Sequence, residues 1–151
     1  MNFSKLFDLT INLPGMYDMG VLPTGHRFFI ETSDGAFKGP EIEGVVRPLM
    51  GGEWATLTDS GYVILDVRLT LQTNDDAYIY VEYTGRFEQN EKAQKAMAGE
   101  ISTDYGDHYF FTNPRMQTSA EKYKYLNDVF CLARGKISPG QVHYEYYKVE
   151  N

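Results

Sequence analysis

The sequence predicts an all-β fold: a single-domain antiparallel β-barrel of about eight or nine strands over residues 1–151, with one short helical excursion near 88–100. Three observations carry this. Apolar residues recur with a period of two almost throughout, the repeat of a strand with one buried face. Clusters of Gly, Pro, Asn and Asp break that alternation at short, regular intervals, as in sandwiches and barrels. Glu88 to Glu100 alone changes character, being rich in Glu, Gln, Lys and Ala and free of β-branched residues, and it closes on Gly99.

In chain order, Phe7, Leu9, Ile11 and Leu13 alternate with Asp8, Thr10 and Asn12, a first strand ended by Pro14-Gly15. His26 to Thr32 forms a second, followed by a turn at Ser33-Asp34-Gly35. Glu41 to Arg47 is a third, bounded by prolines, and Glu53 to Thr58 a fourth that carries Trp54. Tyr62 to Thr73 and Ala77 to Thr84 read as a hairpin around Asn74-Asp75-Asp76. Its predicted register sets Leu71 against Ile79, Leu69 against Val81, Val67 against Tyr83, and Arg68 against Glu82. A slip of one residue would oppose apolar to polar along the whole length. A slip of two would oppose Asp66 to Glu82, a like-charge pair. Asp76 then falls at the left-handed position of a three-residue loop. His108 to Asn113, Val129 to Arg134 and Val142 to Val149 complete the set, with Ala120 to Asn127 a helical turn or loop. Barrel closure is preferred because it leaves no edge to so many Tyr- and Val-rich strands.

Composition narrows the function classes. With 14 Lys+Arg against 21 Asp+Glu, the net charge of −7 disfavours unaided binding to nucleic acid or to an anionic membrane, both of which need a cationic face. Met1 to Gly15 lacks the continuous apolar stretch of a signal peptide. No apolar run approaches membrane length. The one cysteine, Cys131, has no internal disulfide partner, so a cytoplasmic location is expected. Aromatic residues, mostly Tyr, make up 15% of the chain, which fits either a pocket for a planar ligand or a homodimer interface.

Several motifs, taken in order, resemble domain-of-unknown-function family 3237. They are Gly35-Ala36-Phe37-Lys38-Gly39-Pro40, Gly44-Val45-Val46, Gly51-Gly52-Glu53-Trp54, Leu65-Asp66-Val67-Arg68, Thr73-Asn74-Asp75-Asp76-Ala77 with Gly85, Tyr109-Phe110-Phe111-Thr112-Asn113-Pro114, and Tyr123-Lys124-Tyr125-Leu126-Asn127. The resemblance implies a small cytoplasmic β-barrel protein and little about its chemistry. This chain departs from the family pattern in carrying Glu53 where Asp is usual, Asp76 where Gly is usual, Tyr125 where Trp is frequent and Phe111 where Arg is frequent.

No Walker loop, dinucleotide fingerprint, nucleophile elbow or His-Glu-x-x-His is present. The best constellation is the polar face of the hairpin: Asp66, Arg68, Tyr80 and Glu82. Inside a barrel, such a carboxylate would be raised toward neutral pH and act as a base. On the outside, Arg68–Glu82 would be a surface pair worth under about 1 kcal/mol. Alternation alone leaves both faces open, whereas the resemblance, whose signature includes Asp66 and Arg68, points to the lumen. Asp66, Arg68 and Glu53 are the candidate catalytic residues. Arg27, Trp54, Tyr80, Glu82 and Tyr109 are the candidate ligand contacts, Arg27 with Arg68 for an anionic or carbonyl oxygen, Tyr80 and Tyr109 as hydrogen-bond donors, and Trp54 as a stacking wall or a core plug. His26, His108 and His143 are scattered without ligand-pair spacing, so no metal and no cofactor is expected. Cys131 reads as a packed thiol.

The functional expectation is a small-molecule-binding barrel that is either a cofactor-independent acid–base enzyme (an isomerase, dehydratase or cyclase acting on a small polar-aromatic metabolite) or a non-catalytic carrier or sensor for a hydrophobic metabolite. A structural homo-oligomer with a solid core is the third option.

Overall fold

The computed structural model describes residues 1–151. Its strands are β1 Asn2–Asn12, β2 Met16–Leu22, β3 Gly25–Ile30, β4 Gly35–Lys38, β5 Glu43–Val46, β6 Gly52–Leu57, β7 Tyr62–Thr73, β8 Tyr78–Glu88, β9 Phe110–Thr112, β10 Arg115–Gln117, β11 Cys131–Ser138 and β12 Gln141–Glu150. A short helix, α1 (Glu91–Met97), and a 3-10 helix, Glu121–Asp128, are the only helical segments. Every strand pairing is antiparallel.

Eight strands close a ring in the order β8-β9-β11-β12-β1-β4-β5-β7, with β7 returning to β8. Three more strands, β6-β3-β2, branch from β7 as a flap. The branch is possible because β7 is long and shares one edge between two partners. β5 pairs with its later half, through Val46–Leu71 and Gly44–Thr73, and β6 with its earlier half, through Leu57–Val63 and Glu53–Val67.

The β7–β8 hairpin has the register expected from charge and hydropathy, including Leu71–Ile79, Val67–Tyr83 and Arg68–Glu82. Asp76 takes the left-handed backbone at φ 67°. The residues of β7 that enter the barrel are Val63, Leu65, Val67, Leu69 and Leu71, all buried. The polar set of the hairpin therefore faces outward, which corrects the lumen placement of Asp66, Arg68, Tyr80 and Glu82. The reason is desolvation: an interior position would strip water from three charged side chains, whereas the aliphatic set gains by burial.

Three strands escaped the sequence reading. β2 is exposed along its length, with Gly20 at φ 79° and a bulge beside it, so it has no alternation to read. β4 and β10 are four and three residues long; β4 begins on Gly35 and β10 follows Pro114. The helical excursion narrows to α1, whose Asn90 cap accepts from the Ala93 amide and whose Ala93 and Ala96 are buried. At the far end of the barrel the 3-10 helix inserts Tyr123 and Leu126 into the core.

Candidate active site

The end of the barrel beneath α1 is not fully packed. A cavity of about 80 Å3 lies there, between the start of β7, the ends of β1, β8 and β11, and Met97 of α1. Thirteen of its fifteen lining residues are hydrophobic, the exceptions being Thr32 and Glu53. Tyr83 and Tyr144 contribute rings and hydroxyls, and Phe87 and Phe110 meet edge to face with centroids 4.8 Å apart. The volume is about half of the roughly 150 Å3 in which an apolar cavity holds benzene, so it accommodates a few heavy atoms of a ligand.

Glu53 owes its position to the two glycines before it. A Cβ on Gly51 would overlap the Arg68 carbonyl, and one on Gly52 would lie 2.9 Å from the Phe29 ring. Their absence lets β6 lie close against β7, where Glu53 stands opposite Val67 on one side and Ile30 on the other. Glu53 shares its inward parity with Ala55 and Leu57, while Trp54 points out. The carboxyl is buried, and Oε1 has no hydrogen-bond partner. Burial pushes it up from an ordinary 4.5 to about 8, and the charge of Asp66 adds to the shift. An isolated carboxylate in apolar surroundings is costly, so the group keeps its proton near neutral pH.

Among the residues lining the same cavity, the Tyr83 hydroxyl donates to Tyr144 Oη at 3.2 Å. Both phenols are held far above their usual range, chiefly by burial, and so remain protonated. The site thus has a neutral acid that ionises close to physiological pH, a polarised pair of phenols, and a dry wall of carbon.

Of the residues nominated from sequence, only Glu53 enters this cavity. Asp66 acts on it only as a charge. Arg68 is exposed, and its register partner Glu82 pairs instead with Arg115 at 3.1 Å and accepts from the Tyr80 hydroxyl at 2.9 Å. Arg27 reaches Thr24 Oγ1 at 3.4 Å on the outside of the flap. Trp54 is neither core plug nor cavity wall. It is 38% exposed and packs on Phe29 with centroids 5.4 Å apart. Tyr109 is exposed and packs on Phe111.

The three histidines lie apart from one another. His26 bonds Asp18 at 2.8 Å, His143 sits between Thr10 and Ser138, and His108 is buried against Phe87 and Phe110, just behind the cavity. Cys131 is buried, and its thiol is pushed up to about 11.

Tyr83 and Tyr144 were missed as site residues. A signal existed: each is a tyrosine on an otherwise apolar strand face, and a buried phenol needs a partner for its hydroxyl.

Fold and site together define a small closed β-barrel with one acidic, aromatic-lined interior cavity. The match to the family described as "Protein of unknown function (DUF3237)" runs over residues 1–149. The chain belongs to that family.

Among its relatives is a UPF0311 protein of Rhodopseudomonas palustris strain TIE-1, 32% identical over 122 residues, which are 80% of this chain and 78% of the relative. The crystal structure of a conserved protein of unknown function from Rhodopseudomonas palustris superposes with a TM-score of 0.90 at 25% identity, over 99% of this chain and 97% of that one. A β-barrel-like protein from Acinetobacter baumannii gives a TM-score of 0.82 at 23% identity, over 99% and 96%. An enzyme from Penicillium herquei gives 0.72 at 20% identity, over 99% and 94%, a likeness of fold. No helix is long and apolar enough to cross a membrane.

Proposed function

We propose that this protein is an acid–base enzyme acting on a small organic molecule bound in the barrel-end cavity, with Glu53 as the group that gives and takes the proton. One observation carries the reading: a buried carboxyl oxygen, without a hydrogen-bond partner, at an otherwise apolar cavity. A carboxyl placed there costs stability and adds nothing to packing that Leu or Met would not. General acid–base catalysis is most efficient when the pKa of the group lies near working pH, and burial brings Glu53 there. Tyr83 and Tyr144 orient the ligand by hydrogen bonding, and Asp66 tunes Glu53 from outside the wall. That the fold is shared with an enzyme of Penicillium herquei agrees with a catalytic use of such a barrel. Isomerisation, dehydration and cyclisation each need a proton moved between neighbouring atoms of one substrate, which a single carboxyl performs.

The test is a 13C NMR titration of the Glu53 carboxyl, assigned by comparison with Glu53→Gln. An inflection near 8 supports the reading, and one near the ordinary 4.5 overturns it. A carboxyl that titrates high but fails to respond to any small molecule filling the cavity would leave only a structural oddity. A cavity that fills without any Glu53-dependent turnover would favour the carrier.

A further inference from the structure

The chemistry of the ligand follows from what the cavity lacks. No Lys, Arg or His lines it. Arg27 and Arg68, the cations that sequence offered for an anionic or carbonyl oxygen, do not line it. An anionic ligand would sit unpaired beside a carboxyl in apolar surroundings, an arrangement that loses hydration with nothing in return. The hydrogen-bonding side chains that line the cavity are Thr32, Tyr83, Tyr144 and Glu53. The Tyr83 hydroxyl spends its hydrogen on Tyr144 Oη. The Tyr144 hydrogen has no protein acceptor of its own, and accepting a bond makes that O–H a stronger donor. Glu53, buried with an unpartnered oxygen, supplies a second O–H while it keeps its proton. Apart from Thr32, the walls around these two donors are aliphatic and aromatic carbon.

We infer that the cavity takes an uncharged carbonyl compound whose oxygen accepts hydrogen bonds from both Glu53 and Tyr144. The inference rests on the reading of the Glu53 cavity as the active site, and it goes further by naming the functional group that enters. A carbonyl oxygen has two lone pairs and can accept from two donors that line the same cavity. The same donors favour that oxygen more strongly as it gains negative charge, which is the requirement for proton shifts at the adjacent carbon. The volume holds the carbonyl and its immediate substituents, and a larger substrate would extend past Met97 and Thr32.

The experiment compares three probes of equal heavy-atom count, butanone, sec-butylamine and propionate. Binding to the wild-type protein is followed by the NMR signals of Glu53 and Tyr144 near pH 6.5, where the carboxyl is protonated. Butanone is expected to bind at least about tenfold more tightly than either charged probe. Its 13C-labelled carbonyl should move downfield of its position in an apolar solvent. Glu53→Leu and Tyr144→Phe should each weaken butanone by about tenfold, the worth of one good hydrogen bond. Tighter binding of the amine or of propionate overturns the inference, as does a bound carbonyl resonance at its apolar-solvent position. If the amine wins and Glu53→Leu abolishes its binding, the cavity remains the site and only the carbonyl assignment falls. If none of the three probes shifts Glu53 or Tyr144, the reading of the cavity as a site falls too.

Discussion

Replacing Glu53 by Gln should make the protein more stable at neutral pH, and by an amount that grows with pH in a defined window. Burial, helped by the charge of Asp66, moves the Glu53 carboxyl from 4.5 to about 8 on folding. Below 4.5 both the folded and the unfolded chain hold the proton, and the carboxyl costs no ionisation energy. Between 4.5 and about 8 the unfolded chain releases a proton that the folded chain keeps, so stability falls as pH rises, by about 1.4 kcal/mol per unit. Near pH 7 the loss amounts to about 3 kcal/mol, and above pH 8 it levels off near 5 kcal/mol. Gln has nearly the same size and does not ionise, so it escapes this loss. Asp34, Asp75 and Asp107, held below their usual range mainly by hydrogen bonds, lose stability in the other direction, as pH falls. Those effects are common to both proteins and cancel in the difference.

The assay is urea denaturation of wild type and Glu53→Gln at a series of pH values. The difference in unfolding free energy should be flat in acid, open by about 3 kcal/mol on reaching neutrality, and flatten again in mild alkali. In thermal scans near pH 7 this is about 6–12 °C for a domain of this size. Parallel pH profiles for the two proteins would refute the buried, proton-holding carboxyl, and with it the proposed chemistry. A residue retained at such a cost to stability is the usual mark of a functional group.

Other substitutions probe the surroundings of the site. Asp66→Asn removes the outer charge, so the Glu53 titration should move downward, by less than the whole shift because burial is the larger cause; an unmoved midpoint in the carboxyl NMR titration would deny Asp66 its tuning role. Tyr146 is fully buried and its hydroxyl has no partner, so Tyr146→Phe should be neutral or stabilising by up to about 1 kcal/mol in urea, and a marked loss would reveal an unrecognised bond. Leu49 follows Pro48 with φ 64° at the turn into β6, and Leu49→Gly should relieve that left-handed strain and raise stability by about 1 kcal/mol. A Cβ on Gly135 would overlap the Phe110 ring that walls the cavity, so Gly135→Ala should cost about 1–3 kcal/mol and disturb probe binding, a combination read by denaturation and NMR together.

Much of the barrel was legible in the chain because local rules and the tertiary fold agree there. The alternation of β7 and β8 admits one register that satisfies both hydropathy and charge, and that register is the one formed. The left-handed Asp76 followed from the loop length alone. β2, β4 and β10 had no such signal: β2 is exposed along its length and pairs only with β3, while β4 and β10 are too short to show an alternation and are held by β1 and β8 from a distance in sequence. The site divided along the same line. A strand presents two faces with equal clarity, and its sequence does not say which one the closed ring turns inward. That choice belongs to the whole barrel, which buries the side chains that cost least to dehydrate. It set Asp66, Arg68, Tyr80 and Glu82 outside. Glu53 went inside with Ala55 and Leu57, and its carboxyl came to share one cavity with Tyr83 and Tyr144. The sequence by itself determined an acidic, aromatic-rich antiparallel barrel and offered Asp66, Glu53 and Glu82 as carboxylates of a candidate site. Only closure of the ring decided which of them lost its water, because desolvation is a property of the enclosed space and not of any single strand.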